Sequence, residues 1–234
     1  MKNIVVTGAS KGIGRAIVLK FAAEGFAVAA CARNGSGLKK LEDEVYAIAS
    51  SLPHVFMPCD VSDIEQVKSF ATKVTTAWGT VEILVNNAGV FIPGQVINEA
   101  DGILKKLIDT NLYSAYNMTR QLVAGMIEAK SGHIFNMCSV ASLHAYANGG
   151  SYSISKFALL GFSKALREEL KPHGVKVTSL MPGATLTDSW AGVDLPESRF
   201  MKAEDIAKLI FDIYSLSDSA VIEEVVLRPV LGDI

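Results

Sequence analysis

Cysteine is scarce: the 234 residues hold three, Cys31, Cys59 and Cys138, widely spaced and without a CxxC pair. That scatter excludes a disulfide scaffold, offers no metal-ligand spacing, and fits a reducing compartment. Long apolar runs are missing too, none approaching the roughly 18 residues of a membrane-spanning helix. Neither sign of charge is in excess, with 22 Lys and Arg against 24 Asp and Glu. Nothing therefore draws the chain to nucleic acid or to an anionic membrane. No repeat, low-complexity tract or linker interrupts it, and MKNIVVTG enters a strand-like run at once, leaving no room for a cleavable signal. A single cytoplasmic domain over residues 1–234 is the expectation.

What the chain does have is alternation. Short apolar runs (NIVVT, FAVAACA, HVFMPCD, VEILVNN, GHIFNMCS, GVKVTSLMPG, EEVVLRP) are separated by longer segments of helical period. Two of these helical stretches fall within 98–130, and another runs from Tyr152. Apolar strands with almost no polar alternation are buried on both faces, as in a parallel sheet covered by helices. Regular βαβ succession predicts an α/β fold with a doubly wound, Rossmann-type sheet of about seven strands and helices on both faces.

In such a sheet ligands bind at the carboxyl ends of the strands. The first of these ends carries Thr7-Gly-Ala-Ser-Lys-Gly-Ile-Gly14, which opens a helix. Gly8, Gly12 and Gly14 allow a tight turn and close backbone approach to a pyrophosphate, and the helix N-terminus adds N–H donors. Gly8-Ala9-Ser10-Lys11-Gly12 also fits the nucleophile elbow of a hydrolase, which needs a downstream acid and then a histidine. His54, His133, His144 and His173 are available. Against that reading, the elbow falls on the first strand and Gly14 has no role in it.

The whole set of motifs resembles the compact, single-domain branch of the short-chain dehydrogenases/reductases, nearest in pattern to the 3-oxoacyl-carrier-protein reductases. The set is TGASKGIG at 7–14, Asp60 after the third strand, Asn86-Asn87-Ala88-Gly89 after the fourth, Asn111, Ser139, the pair Tyr152/Lys156, and Pro182-Gly183 before a threonine. Ser139 precedes Tyr152 by 13 residues, the family's spacing. The resemblance implies a catalytic set of Asn111, Ser139, Tyr152 and Lys156. It implies a cofactor site built by Gly8, Ser10, Lys11, Gly12, Ile13 and Gly14, then Arg33, Asn34, Asp60 and Val61. Asn87, Ala88 and Gly89 continue that site, which Tyr152, Lys156, Pro182, Gly183, Thr185 and Thr187 complete. It assigns Lys156 to the nicotinamide ribose, Asn111 to a water linking Lys156 to solvent, and residues 184–202 to a substrate lid. It also implies a homodimer or homotetramer built on two apolar helices, 111–129 and 152–170.

The chemistry is consistent with that set. Hydride addition to a carbonyl puts negative charge on oxygen, so a proton donor must stand close by. A phenol with a pKa about 10 is a poor acid. A cation near 4 Å lowers that value by at most about 4 kcal/mol, or roughly three pKa units. Positions 152 and 156 share one helix face, so Lys156 is expected to tune Tyr152. Other readings stay open: Asn86 and Asn87 as turn formers, Asn111 as a helix cap, His144 as a solvent-facing loop residue. Cys138 reads as a buried strand residue, and the whole as a non-catalytic dinucleotide-binding regulator that kept the fold.

NADP(H) is expected over NAD(H). No Asp or Glu occurs between Glu24 and Glu42, and Arg33 stands 19 residues after Gly14, where an NAD-binding chain carries its acid. Arg33 and Lys11 suit a 2′-phosphate, with Asn34 and Ser36 as neutral donors. The substrate is expected to be a ketone, aldehyde or secondary alcohol. The ending EEVVLRPVLGDI departs from the glycine-rich finish of the 3-oxoacyl-carrier-protein reductases, which puts an acyl-carrier substrate in doubt.

Overall fold

The computed structural model describes residues 1–187, 190 and 192–234. Among them, seven strands form one parallel sheet: β1 (Asn3–Thr7), β2 (Ala27–Ala32), β3 (Val55–Pro58), β4 (Ile83–Asn86), β5 (Gly132–Met137), β6 (Val175–Pro182) and β7 (Glu224–Leu227). Their order is β3-β2-β1-β4-β5-β6-β7. The helices are α1 (Gly12–Ala23), α2 (Gly35–Ile48), α3 (Ile64–Trp78), α4 (Ile103–Ile108), α5 (Ser114–Ala129), α6 (Gly150–Leu170) and α7 (Ala203–Tyr214).

Alternate side chains of the central strands feed two cores. Ile4 and Val6 pack with α1, α2 and α7 on one face; Val5 and Leu84 pack with α3 and α5 on the other. Phe21, Phe26 and Phe211 meet edge to face where α1 crosses α7, with Phe21 and Phe26 centroids 5.1 Å apart. Strands β1, β2 and β4 are buried along their whole length, which is why their sequences show so little polar alternation.

Strand order reverses direction at β1, between β2 and β4, and opens a crevice at the carboxyl ends of β1 and β4. The two helical stretches expected within 98–130 are α4 and α5. They are joined by a π-helical turn, Asp109–Tyr113. Such turns widen the hydrogen-bond ladder by one residue and recur at functional sites. Asn111 lies in it, and so does not cap a helix.

Candidate functional site

A cavity of about 830 Å³ occupies the crevice, lined by the loops that follow β1, β2, β3, β4, β5 and β6. Its glycine-loop wall is packed too tightly for side chains. Gly8 has φ of 66°, and a Cβ there would stand 2.8 Å from Ala88 Cα. At Gly14 a Cβ would meet Asn87 Nδ2 at 2.5 Å. That amide donates to the Thr7 and Gly8 carbonyls at 2.9 and 3.1 Å, while Thr7 Oγ1 accepts from the Asn87 and Ala88 N–H groups. Asn87 thus shapes the turn and lines the cavity at once. α2 and α3 are capped by Asn34 and Asp63, whereas the N-cap residue of α1, Lys11, makes no side-chain cap, and the first turn of that helix faces the cavity. A helix N-terminus behind a glycine turn is a fitting seat for a pyrophosphate.

Lys11, Arg33 and Asn34 line the same end. Asn34 Oδ1 is committed to the Gly37 N–H at 3.1 Å and the Ser36 hydroxyl at 2.9 Å. Ser36 is therefore turned to the α2 cap and does not line the cavity, contrary to its expected place. Asp60 departs in the same way. Its neighbours Cys59 and Val61 line the cavity, but its carboxylate accepts from the Ser62 N–H and hydroxyl at 3.0 and 2.7 Å, closing the turn before α3. Burial pushes the Asp60 carboxyl up, but the Ser62 hydrogen bonds and the charge of Arg33 outweigh it and hold it below the ordinary value.

At the opposite end Ser139, Tyr152 and Lys156 converge. Ser139 stands two residues beyond the end of β5, and its backbone is fixed by Ser142, whose Oγ accepts the Ser139 N–H at 3.2 Å. Ser139 lies beside the Tyr152 phenol and favours its ionised form, while its own Oγ accepts the Ala141 N–H at 3.1 Å. Lys156 Nζ donates to the Met137 carbonyl at 2.7 Å and lies 5.9 Å from the Tyr152 ring centroid. Phe91 meets the same ring edge-on at 4.9 Å. Burial raises the Tyr152 phenol, with Ser139 opposing, and burial pushes the Lys156 ammonium down to about 8. The expected tuning of the phenol by Lys156 does not dominate here, because the ammonium is itself desolvated and spent on a carbonyl.

Asn111 is buried behind this cluster and does not line the cavity. Its Oδ1 accepts the Val90 N–H at 2.8 Å; its Nδ2 donates to the Val90 carbonyl at 3.0 Å and to Ser155 Oγ at 2.9 Å. The side chain thereby ties the loop after β4 to α6, one residue from Lys156. Gly89 fits between them: a Cβ there would lie 3.3 Å from Asn111 Oδ1 and 3.6 Å from Lys156 Nζ.

Pro182, Gly183, Thr185 and Thr187 line the cavity with Val140, His144, Tyr146 and Trp190. His144 therefore faces the cavity, and Cys138 does as well. The segment expected to form the lid is tied together at its base, where Leu186 and Met201 N–H groups bond the Met201 and Ala184 carbonyls at 2.8 and 3.0 Å. Asp188, Ser189 and Ala191, within the expected lid, lie outside the described residues. The motifs did not signal Phe91, Arg228 or Asp233, which line the cavity too. Nor did they signal Asn136, whose amide links Asn86 to Ser163 of α6 at 2.9 and 3.0 Å.

Two of the histidines are unavailable to the hydrolase reading, and a third, His144, lines the cavity with Val140 and Ser139 rather than with the glycine loop's neighbours Arg33 and Asn34. His54 is held by the Val28 N–H and the Ala49 carbonyl, and His133 by Thr178 inside the sheet. Ser10 sits against Gly37 at the start of α2. Among the described residues no group of three or more His, Cys, Asp or Glu is placed to hold a metal ion, and no helix is long and apolar enough to cross a membrane.

Residues 2–197 match the family model for short chain dehydrogenase. Sepiapterin reductase of Chlorobaculum tepidum is 33% identical over 100% of this chain and 99% of its own length. The 3-oxoacyl-[acyl-carrier-protein] reductase FabG of Thermotoga maritima is 30% identical over 96% of this chain and 95% of its own. Among solved structures, a metagenomic short-chain oxidoreductase in complex with NADP superposes with a TM-score of 0.85 at 34% identity, covering 99% of this chain and 98% of that one. With its seven-stranded sheet, glycine loop and Ser–Tyr–Lys cluster in register, the chain belongs to the short-chain dehydrogenase family of oxidoreductases.

Proposed function

We propose that the protein is an NADP(H)-dependent carbonyl reductase that interconverts a ketone or aldehyde and its alcohol. The observation that carries this reading is the convergence of Ser139, Tyr152 and Lys156 on the cavity whose other end is the glycine loop with Arg33 and Lys11. Gly8, Gly12 and the first turn of α1 would hold the pyrophosphate; Arg33 and Lys11 would hold the 2′-phosphate. Lys156 would hold the nicotinamide ribose. When bound, NADPH supplies the hydride to the carbonyl carbon. Ser139 Oγ orients the carbonyl oxygen by hydrogen bonding, and the Tyr152 hydroxyl, protonated at neutral pH, gives its proton to the oxyanion as charge develops there. Lys156, in its ammonium form, stabilises the phenolate left behind. Phe91 and the lid exclude water from that exchange.

What favours this reading over a non-catalytic dinucleotide-binding regulator is the desolvated lysine and the buried serine gathered at the phenol, which a regulator does not need. Tyr152→Phe removes one proton and almost no contact surface. It is expected to lower kcat by about 1000-fold or more, the upper range for a positioned acid, with the NADPH Kd unchanged within about twofold. Lys156→Ala is expected to weaken both. Carbonyl-dependent NADPH oxidation by Tyr152→Phe at near wild-type kcat overturns the assignment.

A further inference from the structure

The substrate end of the cavity carries a charge arrangement that neither the glycine loop nor the Ser139–Tyr152–Lys156 cluster uses. Pro182 pairs with Leu227 in the sheet, so Arg228, the next residue, leaves β7 beside Gly183. The chain then turns back, with Gly232 at φ of 83° donating its N–H to the Pro229 carbonyl at 2.8 Å. This return brings Asp233 into ion contact with Arg228. It also places Asp233 Oδ1 where a Cβ on Gly183 would be 2.9 Å away. Arg199 reaches the same turn from the far side of the lid. Its Nη2 donates to the Asp233 carbonyl at 3.4 Å, and its Nη1 is buried with no hydrogen-bond partner.

Donors and acceptors do not balance here. A guanidinium offers five N–H donors, and two guanidiniums share Asp233. A buried donor left unmet costs about 1–3 kcal/mol, and more when charged. The unmet donor belongs to Arg199, and of the two guanidiniums that share the one Asp233 carboxylate it is Arg228 that lines the cavity, where a second acceptor can meet it. A carboxylate is the group that meets a guanidinium fork with two parallel bonds. Phe91, Tyr146 and Trp190 line the same cavity and supply apolar surface, which strengthens a charge pair by excluding water.

We propose that Arg228 is a specificity-determining residue that binds a carboxylate on the substrate, with Asp233 as the internal stand-in that the substrate carboxylate replaces. The substrate class is then an oxo acid, or the matching hydroxy acid, with an apolar body. This rests on the carbonyl-reductase reading, and the test separates the two.

Turnover of 2-oxo-4-phenylbutanoate and of its ethyl ester with NADPH is compared within each variant, so that the acid-to-ester ratio of kcat/KM cancels any general loss. Wild type is expected to favour the acid, and Arg228→Gln to lower that ratio by about tenfold or more, the worth of a charge-assisted bond. Asp233→Asn, which keeps every guanidinium donor and weakens the internal competitor, is expected to raise the ratio. A ratio unmoved by both substitutions overturns the inference. Should neither compound turn over, the reading of the reaction is in question while recognition is still measurable. Calorimetric titration of the NADP⁺ complex with 4-phenylbutanoate and its amide then decides. Tighter binding of the acid, lost in Arg228→Gln, supports the carboxylate site; equal binding of acid and amide overturns it.

Discussion

Burial makes Lys156 a weak ammonium, held at about 8 against an ordinary 10.5. The sign of the effect on activity follows directly. Below that value the side chain is charged and able to stabilise the Tyr152 phenolate; as pH rises through it, the charge is lost. In kcat/KM for reduction, which reports the free enzyme, activity is expected to be full near pH 7 and to fall through about pH 8. Stability runs the opposite way. The folded value is depressed, so the buried ammonium costs stability below pH 8, and that cost fades between about 8 and 10.5. Lys156→Arg stays charged throughout, and the basic limb is expected to vanish from whatever activity remains. A limb unmoved by that change belongs to another group. Arg33 is the second residue whose charge decides an outcome. Arg33→Asp is expected to raise KM for NADPH tenfold or more, about 1.4 kcal/mol, while affecting NADH far less. Added salt is expected to weaken NADPH more than NADH. Equal kcat/KM for the two cofactors in the unmutated protein contradicts that role.

Among the elements, β5 carries a titration that the sequence pattern hides. His133 is stacked on Phe135 at 3.9 Å, and its Nε2 is 2.7 Å from Thr178 Oγ1. That hydroxyl donates to the Ile222 carbonyl at 2.6 Å, so Nε2 must carry the proton it shares with Thr178. Burial, helped by the charge of Lys176, pushes the imidazole down to about 3. The folded value lies below the ordinary 6.5, so the unfolded chain binds the extra proton and stability is lost as pH falls from about 6.5 toward 3. The slope is about 1.4 kcal/mol per pH unit while this group titrates. His133→Gln is expected to flatten that acid limb in urea midpoints measured from pH 7 to 4. Parallel curves for the two proteins exclude His133 as its source. The strands themselves were legible, since apolar runs of four to eight residues have few other uses in a chain with this alternation. The glycine loop was legible because φ and close approach leave almost no other residue possible at Gly8 and Gly14. The π-helical turn was not: its residues suit a continuous helix, and the turn is set by Asn111 reaching Val90 and Ser155, contacts of long sequence separation. The local bonds of Asp60 and Ser36 were not legible either, since their side chains satisfy the turns before α3 and α2. Arg228 and Asp233 carry no local signature, and only the pairing of β7 with β6 brings them to Gly183.

For the whole molecule, the outstanding feature is apolar surface on the outer side of α5 and α6. Ile154 and Phe157 are 42% and 46% exposed on α6, and a Cβ on Gly161 of the same side would meet nothing within 4 Å. Tyr113 and Tyr116 are exposed on the neighbouring turn and helix, 6.4 Å apart between centroids. The positions 154, 157 and 161 form one stripe at helical spacing, distinct from the face of α6 that buries Leu159 and Leu166. A lone domain gains nothing from such a stripe, since each exposed square ångström of apolar surface forgoes about 25 cal/mol. A two-fold contact that pairs the stripe with its own copy buries it on both chains at once, and its open glycine lets the two helices approach closely. An interface of the usual size removes about 800 Å² per partner, more than these side chains supply alone, so α5 must join α6 in it. The expected species is a homodimer or a larger closed assembly, with a light-scattering mass of at least twice the 25.0 kDa of the chain at micromolar concentration. Phe157→Glu places a charge at the centre of the contact and is expected to shift that mass toward the monomer. Its side chain is clear of the cavity, so NADPH binding should persist. A wild-type mass near 25 kDa at micromolar concentration rules the assembly out, and an unshifted mass in Phe157→Glu moves the contact to another face.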